Sequence, residues 1–335
     1  MHKATFLEGS LALTIAPEGP LLVKAGEGSG ADPTLPSMEF VRTHQHRGRE
    51  VYIPGPSLKG VVRAQAERIC RSLDTRRNGP QADDPPLADN PLGKNDTYKG
   101  PEDIDYSDGR YLDSIRDEYR DKPERTAVIY RRSSFTSRLF GNTSLAGRLR
   151  FADAYPSGEV RLEERNGVAI DRIYGSVAVG PFNYETVVGA EFTTRIDLKN
   201  VTLAQLALLG LALRDLAEGR VAVGFGKSRG LGRVKVTFRQ LKLYYPTCEL
   251  AGGQLRLLSR EAGVPDTDLA GLGALCPPDA YGEYHLPQRD QAPLPEGMAY
   301  QQEDLLGVSL VAEGDAQVRA IWNACMPRWR EAIGL

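Results

Sequence analysis

The feature that most constrains the fold is a helix from Leu203 to Glu218, because the sequence marks both of its ends. Thr202 and Gln205 form a capping box at its start. Gly219 ends it, as glycine commonly does just beyond a helix C-terminus. Leucine and alanine recur along the segment at helical spacing. The sequence therefore predicts a well-bounded helix with one buried face.

A second helix is predicted near the start of the chain, after an extended segment. Residues 5–16 alternate apolar and polar side chains as a strand does, and residues 49–53 return to strand. Pro54-Gly55-Pro56 then breaks the strand. Ser57 is placed to cap a helix that runs from Leu58 to about Leu73.

Further extended segments surround these two helices. Residues 145–154 and 191–198 alternate like strands, and residues 166–190 are typical of a long hairpin. A glycine-rich loop, Gly224–Arg233, follows the helix Leu203–Glu218 and leads into a strand, Val234–Phe238. The order strand, helix, strand, hairpin, strand, helix, glycine loop, strand predicts an α+β fold with a ferredoxin-like core.

The chain divides by composition into a core and two additions. Residues 1–74 and 131–240 hold all the predicted core elements, and we call them the core segments. Residues 75–130 contain 6 prolines and few aliphatic side chains, which predicts a partly disordered insertion. Residues 241–335 form an acidic C-terminal extension. Its predicted helix, Ala316–Ile333, carries two tryptophans that are either core residues or anchors for a partner: Trp322 and Trp329.

The charge of the whole chain hides an uneven partition. There are 42 Lys and Arg against 44 Asp and Glu, a formal net charge of −2. The core segments hold 26 basic and 18 acidic residues, the insertion 9 and 13, and the extension 7 and 13. A basic surplus on one part of a protein is typical of nucleic-acid binding. The near-neutral total therefore does not exclude an RNA partner.

The composition excludes several classes of protein. No run of eighteen apolar residues occurs, so no membrane-spanning helix is expected. Glu8 interrupts the apolar stretch that a signal peptide needs, and we expect a cytoplasmic protein. The cysteines are widely spaced without a CxxC pair, which predicts free, buried thiols: Cys70, Cys248, Cys276 and Cys325.

The four histidines lack the spacing of a metal site, so no resident metal is predicted. His44 and His46 form the one close pair, and in an extended segment both rings lie on one face. We interpret the pair as solvated or facing RNA, with metal binding as the alternative.

Three stretches have residue types suited to nucleic acid. At the start of the helix that begins at Leu58, the Pro-Gly turn favours a nest of backbone N–H groups, and Lys59 and Arg63 share a helical face. The glycine loop combines close backbone approach with Lys227 and Arg229, and it contains neither a Walker A nor a dinucleotide fingerprint. The alternatives are an ordinary capped helix with solvated bases and a flexible hairpin turn.

The third stretch is the predicted hairpin. Arg172 lies close in sequence to Tyr174, Phe182 and Tyr184. Aromatic side chains beside basic ones suit base stacking on single-stranded nucleic acid. Aromatic residues in hairpins also serve simply in packing, and this alternative stays open.

Taken in order, these stretches resemble the RAMP superfamily, and specifically the backbone subunit of type III CRISPR effector complexes. The motifs are YIPGPSLKGVVR, RLFGNTSLAGRLRFADA, GVAIDRIYG with FNYE, and GFGKSRGLGRVKV. They cover roughly residues 5–74 and 131–240. The insertion and the extension resemble those of type III-D-like subunits.

The resemblance implies an RNA-recognition-motif-like core that assembles along a guide RNA with other RAMP subunits and the large subunit of the complex. It implies that a thumb hairpin, residues 166–186, displaces a nucleotide at regular intervals. The residues carried over as RNA contacts are Ser57, Lys59, Arg63, Arg172, Tyr174, Phe182, Gly226, Lys227, Ser228 and Arg229.

The resemblance also implies a catalytic residue, Asp32, in the loop Gly28–Pro33. In target-cleaving members an aspartate in this loop supports attack by the neighbouring ribose 2′-hydroxyl of the target RNA, with Mg²⁺ or another divalent cation bound with the RNA. Residues Leu22–Gly26 stand where those members have a His-Ile-Gly run.

Several alternatives to this function stay open. Asp32 before a proline is also typical of a turn, and the subunit is then structural and binds guide RNA without cutting. A guide-processing endoribonuclease is a further alternative, with His44 and His46 as its available acid–base residues. A small-molecule enzyme is least favoured, because no cofactor motif occurs.

Overall fold

The computed structural model describes residues 3–25, 38–45, 48–74, 85–89, 115–277 and 283–335. Its strands are β1 (Glu8–Pro17), β2 (Arg42–Gln45), β3 (Gly48–Val51), β4 (Leu149–Phe151), β5 (Tyr155–Pro156), β6 (Arg161–Ile170), β7 (Val177–Gly189), β8 (Phe192–Lys199), β9 (Val234–Tyr245), β10 (Cys248–Ala251), β11 (Gln254–Leu257), β12 (Val264–Pro265), β13 (Asp268–Ala270), β14 (Gln291–Pro293), β15 (Gln301–Gln302) and β16 (Val308–Glu313). Its helices are α1 (Gly55–Leu73), α2 (Arg125–Arg132), α3 (Phe135–Phe140), α4 (Leu203–Ala217), α5 (Leu272–Leu275) and α6 (Gly314–Ala332).

One antiparallel sheet organises these elements, in the order β15-β16-β9-β1-β8-β4, and β5 also pairs with β8. Strand β1 lies between β8 and β9, and Ser10 faces Asp197 on one side and Lys242 on the other. Helices and antiparallel strands are thus mixed within one fold, as predicted for the α+β class.

The two faces of the sheet differ because side chains alternate along each strand. Leu11, Leu13 and Ile15 of β1 are buried in the main core. Helices α1, α4 and α6 supply the other side of that core. The opposite face of β1, which includes Ser10, borders an open groove instead.

The N-terminal cap predicted for α4 is present, and the one predicted for α1 is not. The capping box of α4 is confirmed, since Gln205 N donates to Thr202 Oγ1 at 3.3 Å and Thr202 N donates to Gln205 Oε1 at 3.1 Å. The predicted cap of α1 by Ser57 is wrong. The helix begins at Gly55, three residues before the predicted start at Leu58, and its N-cap residue, Pro54, makes no side-chain cap. The Gly55 N–H instead donates to Asp153 Oδ1 at 2.7 Å.

The C-terminal extension completes the sheet and the helical layer. Strand β16 pairs with β9, and α6 packs against α4. Trp322 is 5% exposed and its ring centroid lies 4.7 Å from that of Phe238. Trp329 is also buried and contacts Phe135. Of the two roles that the sequence left open for these tryptophans, the structure therefore assigns them to the core.

The insertion and the extension also pack on each other. Residues 75–84 and 90–114 lie outside the described residues, but a second apolar cluster joins side chains from the rest of the insertion to α5 and the segment after it. The cluster includes Ile115, Val128, Tyr130, Leu272, Cys276, Tyr284 and Leu286. The Arg131 guanidinium adds a hydrogen bond of 3.0 Å to the Glu283 carbonyl. The two additions thus share one small core.

The four cysteines are free and buried, as the sequence predicts. Burial raises the pKa of the Cys276 thiol to about 11 and that of Cys248 to about 12. These thiols are therefore protonated and unreactive at neutral pH. In the part of the chain that the structure describes, no helix is long and apolar enough to cross a bilayer.

A buried carboxylate joins the N-termini of two helices. Asp290 Oδ1 accepts a hydrogen bond from Leu203 N of α4, and Oδ2 accepts one from Gly273 N of α5, both at 2.9 Å. Negative charge is favourable at helix N-termini. Burial nevertheless dominates, and it raises the pKa of Asp290 to about 6.

The raised pKa of Asp290 predicts a pH dependence of stability. The folded state holds the Asp290 proton more tightly than the unfolded state, whose aspartates have a pKa of about 3.9. The contribution of Asp290 to stability is therefore lost as the pH rises from about 4 to about 6. The Asp290→Asn variant has no carboxylate to titrate at this position. The difference between the two free energies of unfolding, wild type minus variant, should therefore fall as the pH rises over this range. Each unit of pKa shift corresponds to about 1.4 kcal/mol.

Urea unfolding of both proteins across this pH range measures the difference. A difference that is constant, or that grows with pH, contradicts the assignment.

Candidate nucleic-acid interface

The predicted hairpin is formed by β6 and β7, which pair along most of their length. At its tip Asp171 Oδ1 accepts hydrogen bonds from the backbone N–H groups of Ile173 and Tyr174, at 2.7 and 2.8 Å. Gly175 has φ of +67°, which favours glycine. The closed turn leaves Ile173 82% and Tyr174 83% exposed, and Arg172 is exposed beside them. The tip thus presents an aromatic ring and a cation to solvent.

Phe182 and Tyr184 lie nearer the body of the protein than the tip does. Their ring centroids are 6.5 Å apart, and Tyr184 pairs with Met38. Phe182 lies over Gly167 of the opposite strand, where a Cβ would be 2.6 Å from the ring. The Arg229 guanidinium of the glycine loop lies 5.7 Å from the centroid of Phe182. The structure therefore brings the predicted hairpin aromatics and the glycine loop together.

The glycine loop is held in a tight turn by its glycines. Residues Lys227–Arg229 form a single 3₁₀ turn, flanked by Gly226 with φ of +70° and Gly230 with φ of +80°. Burial lowers the pKa of Lys227, and the nearby charge of Arg68 on α1 lowers it further. Arg68 is a cation of this cluster that the sequence reading missed. Only its nearness to Lys227 in the folded chain, which the helix pattern does not reveal, points to it.

Lys59 and Arg63, predicted as a pair of phosphate contacts, have different surroundings. Arg63 Nε donates to Glu67 Oε1 at 2.8 Å, and Arg63 Nη1 donates to the Gly141 carbonyl at 3.0 Å. Arg63 thus ties α1 to the end of α3. Lys59 lines the open groove, and its pKa is lowered by burial and by the charge of Arg63.

Two of the predicted RNA contacts, Lys59 and Lys227, lie on opposite sides of α1. An α-helix has about 3.6 residues per turn, so residues nine apart lie on opposite sides. Lys59 and Arg68 are nine residues apart, and Arg68 is the one near Lys227. The groove beside Lys59 and the cluster around the glycine loop are therefore separate surfaces.

The predicted nest of free N–H groups at the start of α1 is wrong. Gly55 N donates to Asp153, and the N–H groups of Ser57 and Leu58 both donate to the Pro54 carbonyl, at 3.0 and 3.2 Å. Because these amides are already paired, a ligand at this helix start has only side chains to contact, such as Lys59 and the half-buried Ser57.

Asp32 lies outside the described residues, but the two ends of its loop are described. Ala25 N donates to the Glu39 carbonyl at 3.1 Å, and Lys24 pairs with Phe40 in an antiparallel bridge. The chain therefore leaves and re-enters the described structure at neighbouring positions, which we call the loop stem (residues 23–25 and 38–41).

The loop stem is held against the hairpin by the carboxylate of Glu185. Phe40 N donates to Glu185 Oε2 at 3.1 Å, and Arg42 forms an ion pair with the same carboxylate. Met38 N also donates to the Asn183 carbonyl at 3.2 Å. The side chains of Glu185 and Arg42 are 15% and 17% exposed. The stem and the hairpin therefore form one hydrogen-bonded unit.

The glycine loop joins the same unit from the other side. Phe225 N donates to the Leu22 carbonyl at 2.7 Å. A Cβ on Gly224 would lie 2.2 Å from that carbonyl oxygen, so only glycine allows the approach. We call the place where hairpin, loop stem and glycine loop meet the junction (residues 22–25, 38–42, 182–187 and 224–229).

The predicted histidine pair is only partly described. His44 is exposed on β2, and His46 lies outside the described residues. Within the described ranges, no group of three or more His, Cys, Asp or Glu is placed to hold a metal ion.

Comparison with known proteins identifies a family. The sequence pattern of the RAMP superfamily matches residues 14–235, more than half of the chain. The match includes α1, the hairpin, α4 and the glycine loop, and it ends before the C-terminal extension. No curated protein matches the chain by sequence.

Proposed function

The chain belongs to the RAMP superfamily, which has CRISPR-associated RNA-binding functions, and from this premise we propose that it is a guide-RNA-binding backbone subunit of a type III effector complex. The guide strand is held at the junction. The observation that carries this proposal is the meeting of Phe182 with Arg229 beside Lys227, where an aromatic ring and two cations lie at a tight glycine turn.

The charges of this cluster favour an anionic ligand. Among the described residues Lys227, Arg229 and Arg68 form no ion pair with an acid. Burial and the charge of Arg68 both disfavour the ammonium form of Lys227 and so lower its pKa. A phosphate between these side chains offsets that cost, and guide RNA supplies a row of phosphates.

The hairpin acts as the thumb in this proposal. Val177, at the tip end of β7, is five residues from Phe182, which corresponds to roughly 17 Å along a strand. Tyr174 and Arg172 therefore contact a nucleotide different from the one at Phe182. Exposure of the Tyr174 ring suits it to stack on, or displace, a base.

The connectivity supports the finer fold assignment. The elements β1, α1, β4, β8, α4 and β9 follow one another in the strand and helix order of a ferredoxin-like unit. Their strands lie in the spatial order β9-β1-β8-β4, all antiparallel. We propose that this unit is the RNA-recognition-like core and that β16 and α6 extend it.

We further propose that the subunit cuts target RNA with Asp32. The support is the loop stem, which begins and ends the Asp32 loop at the junction beside the proposed guide. The Asp32 carboxylate takes the proton of a target 2′-hydroxyl, whose oxygen attacks the adjacent phosphorus. The bond to the 5′-oxygen breaks, leaving a cyclic phosphate, and solvent water supplies the proton that converts the departing 5′-oxygen into a hydroxyl. Mg²⁺ or another divalent cation, bound with the RNA, would stabilise the charge that develops on the phosphate.

Guide binding is tested by a double substitution in the glycine loop. Lys227→Ala with Arg229→Ala should weaken guide RNA binding and reduce the slope of log affinity against log salt by roughly 1.4, because each lost single-strand phosphate contact removes about 0.7. The matched control is Arg289→Ala with Arg330→Ala, two exposed cations of the extension. Fluorescence anisotropy at several salt concentrations measures the slopes. Equal slopes for the two double variants refute the junction as the guide site.

Target cleavage is tested separately with Asp32→Ala. The assembled complex should bind target RNA as tightly as the wild type and lose the cut at this subunit's position, because no group then takes the 2′-hydroxyl proton. Glu27→Ala, an acid of the same loop, is the control and should cut normally. Gel analysis of labelled target measures both. Normal cutting by Asp32→Ala refutes the catalytic role and leaves a structural, guide-binding subunit.

A further inference from the structure

The open face of the central sheet forms a groove that the junction does not use. It encloses about 1250 Å³. The small Ser10 of β1 lies on its floor, and the flanking strands carry longer side chains, with Arg195 and Lys199 on β8 and Lys242 on β9. Ser10 of β1 therefore lies between long cationic side chains on both neighbouring strands.

The charges that line the groove are unevenly paired. Its cations are Lys59, Arg148, Arg150, Arg195, Lys199 and Lys242, and its acids are Glu8, Asp197, Glu303 and Asp304. Arg195 pairs with Asp197 at 2.7 Å, and Lys242 pairs with Glu303 at 3.1 Å. Arg148 is buried and donates to the Asn200 carbonyl. Within the described part of the chain, Lys59, Arg150 and Lys199 form no ion pair, and neither do the acids Glu8 and Asp304.

These three cations lie along one path. Lys59 stands at the α1 end of the groove, and Arg150 lies on the edge strand β4. Arg150 faces Asp197 in the register of β4 and β8, and Lys199 is two residues further along β8 on the same face. Arg150 and Lys199 are therefore diagonal neighbours on adjacent strands, roughly 7–8 Å apart. A chain of negative charges can therefore contact them in turn.

We propose that this groove is a second RNA site, which binds a single-stranded segment through phosphate contacts to Lys59, Arg150 and Lys199. The inference rests on the proposed RNA-binding function and adds a surface to it. Lys59 lies on the side of α1 away from Lys227, so the strand in the groove follows a different path from the strand at the junction. The exposed apolar side chains at the groove, Leu305 and Leu306, are confined to the turn between β15 and β16.

The groove is tested by reversing its unpaired charges. Arg150→Glu with Lys199→Glu should weaken binding of a labelled single-stranded oligouridine and reduce the salt slope by at least about 1.4, which corresponds to two lost phosphate contacts. Both side chains are exposed, so the fold should tolerate the change. The matched control is Arg289→Glu with Arg330→Glu, which reverses the same number of exposed charges outside the groove. Circular dichroism checks that each variant is folded.

Combining the groove variant with Lys227→Ala and Arg229→Ala separates this inference from the proposed function. Two separate surfaces predict that the two losses of salt slope add. If only the groove variant loses affinity, the junction proposal fails and the groove stands. If the groove variant binds RNA as its control does, the groove inference is overturned. The groove inference is also overturned if the groove variant keeps its RNA affinity and loses association with a second copy of the chain or with another protein.

Discussion

The half-buried ion pair between Glu185 and Arg42 is the contact on which the proposed interface depends. The Glu185 carboxylate belongs to the hairpin, and it holds both the Arg42 guanidinium and the Phe40 N–H of the loop stem. Removal of the Glu185 carboxylate would leave the Phe40 N–H without its acceptor, and an unsatisfied buried donor costs about 1–3 kcal/mol. The position of the thumb and the position of the loop stem are therefore set together. The glycine loop is fixed to the same stem through the Leu22 carbonyl.

The two acidic additions are parts of the folded body. Tyr130 from the insertion and Leu272 and Tyr284 from the extension share one apolar cluster, and β16 completes the sheet. Deletion of the whole insertion would therefore open a core as well as remove acidic residues. The charge partition of the sequence has a structural counterpart, because the proposed junction is built from the basic core segments.

Much of the fold was predictable from the sequence where the determining contacts are local. The capping box of α4 involves residues three apart, and the alternation of β1 follows from one buried face. The start of α1 was not predictable in this way, because Gly55 is held by Asp153, 98 residues away. The same limit applies to Arg63. Its helical spacing from Lys59 predicts a shared ligand, but its bond to the Gly141 carbonyl commits it to the fold.

Sequence motifs predicted individual residues of the candidate site, but they did not predict how those residues are arranged in space. Phe182 and Arg229 were each proposed as RNA contacts, but only the folded chain brings them within 5.7 Å. Arg68 carries no motif and becomes a candidate only because it lies near Lys227. Lys59 carries a motif and belongs to a different surface, because it lies on the opposite side of α1 from Arg68.

The most direct test of the central claim, that guide RNA lies at the junction, is ultraviolet crosslinking of the chain to guide RNA. Mass spectrometry then identifies the linked residues. The account predicts crosslinks to Phe182 and Phe225 at the junction and to Tyr174 at the thumb tip. Crosslinks that leave the junction peptides unmodified, and fall only on the C-terminal extension or α2, would contradict it.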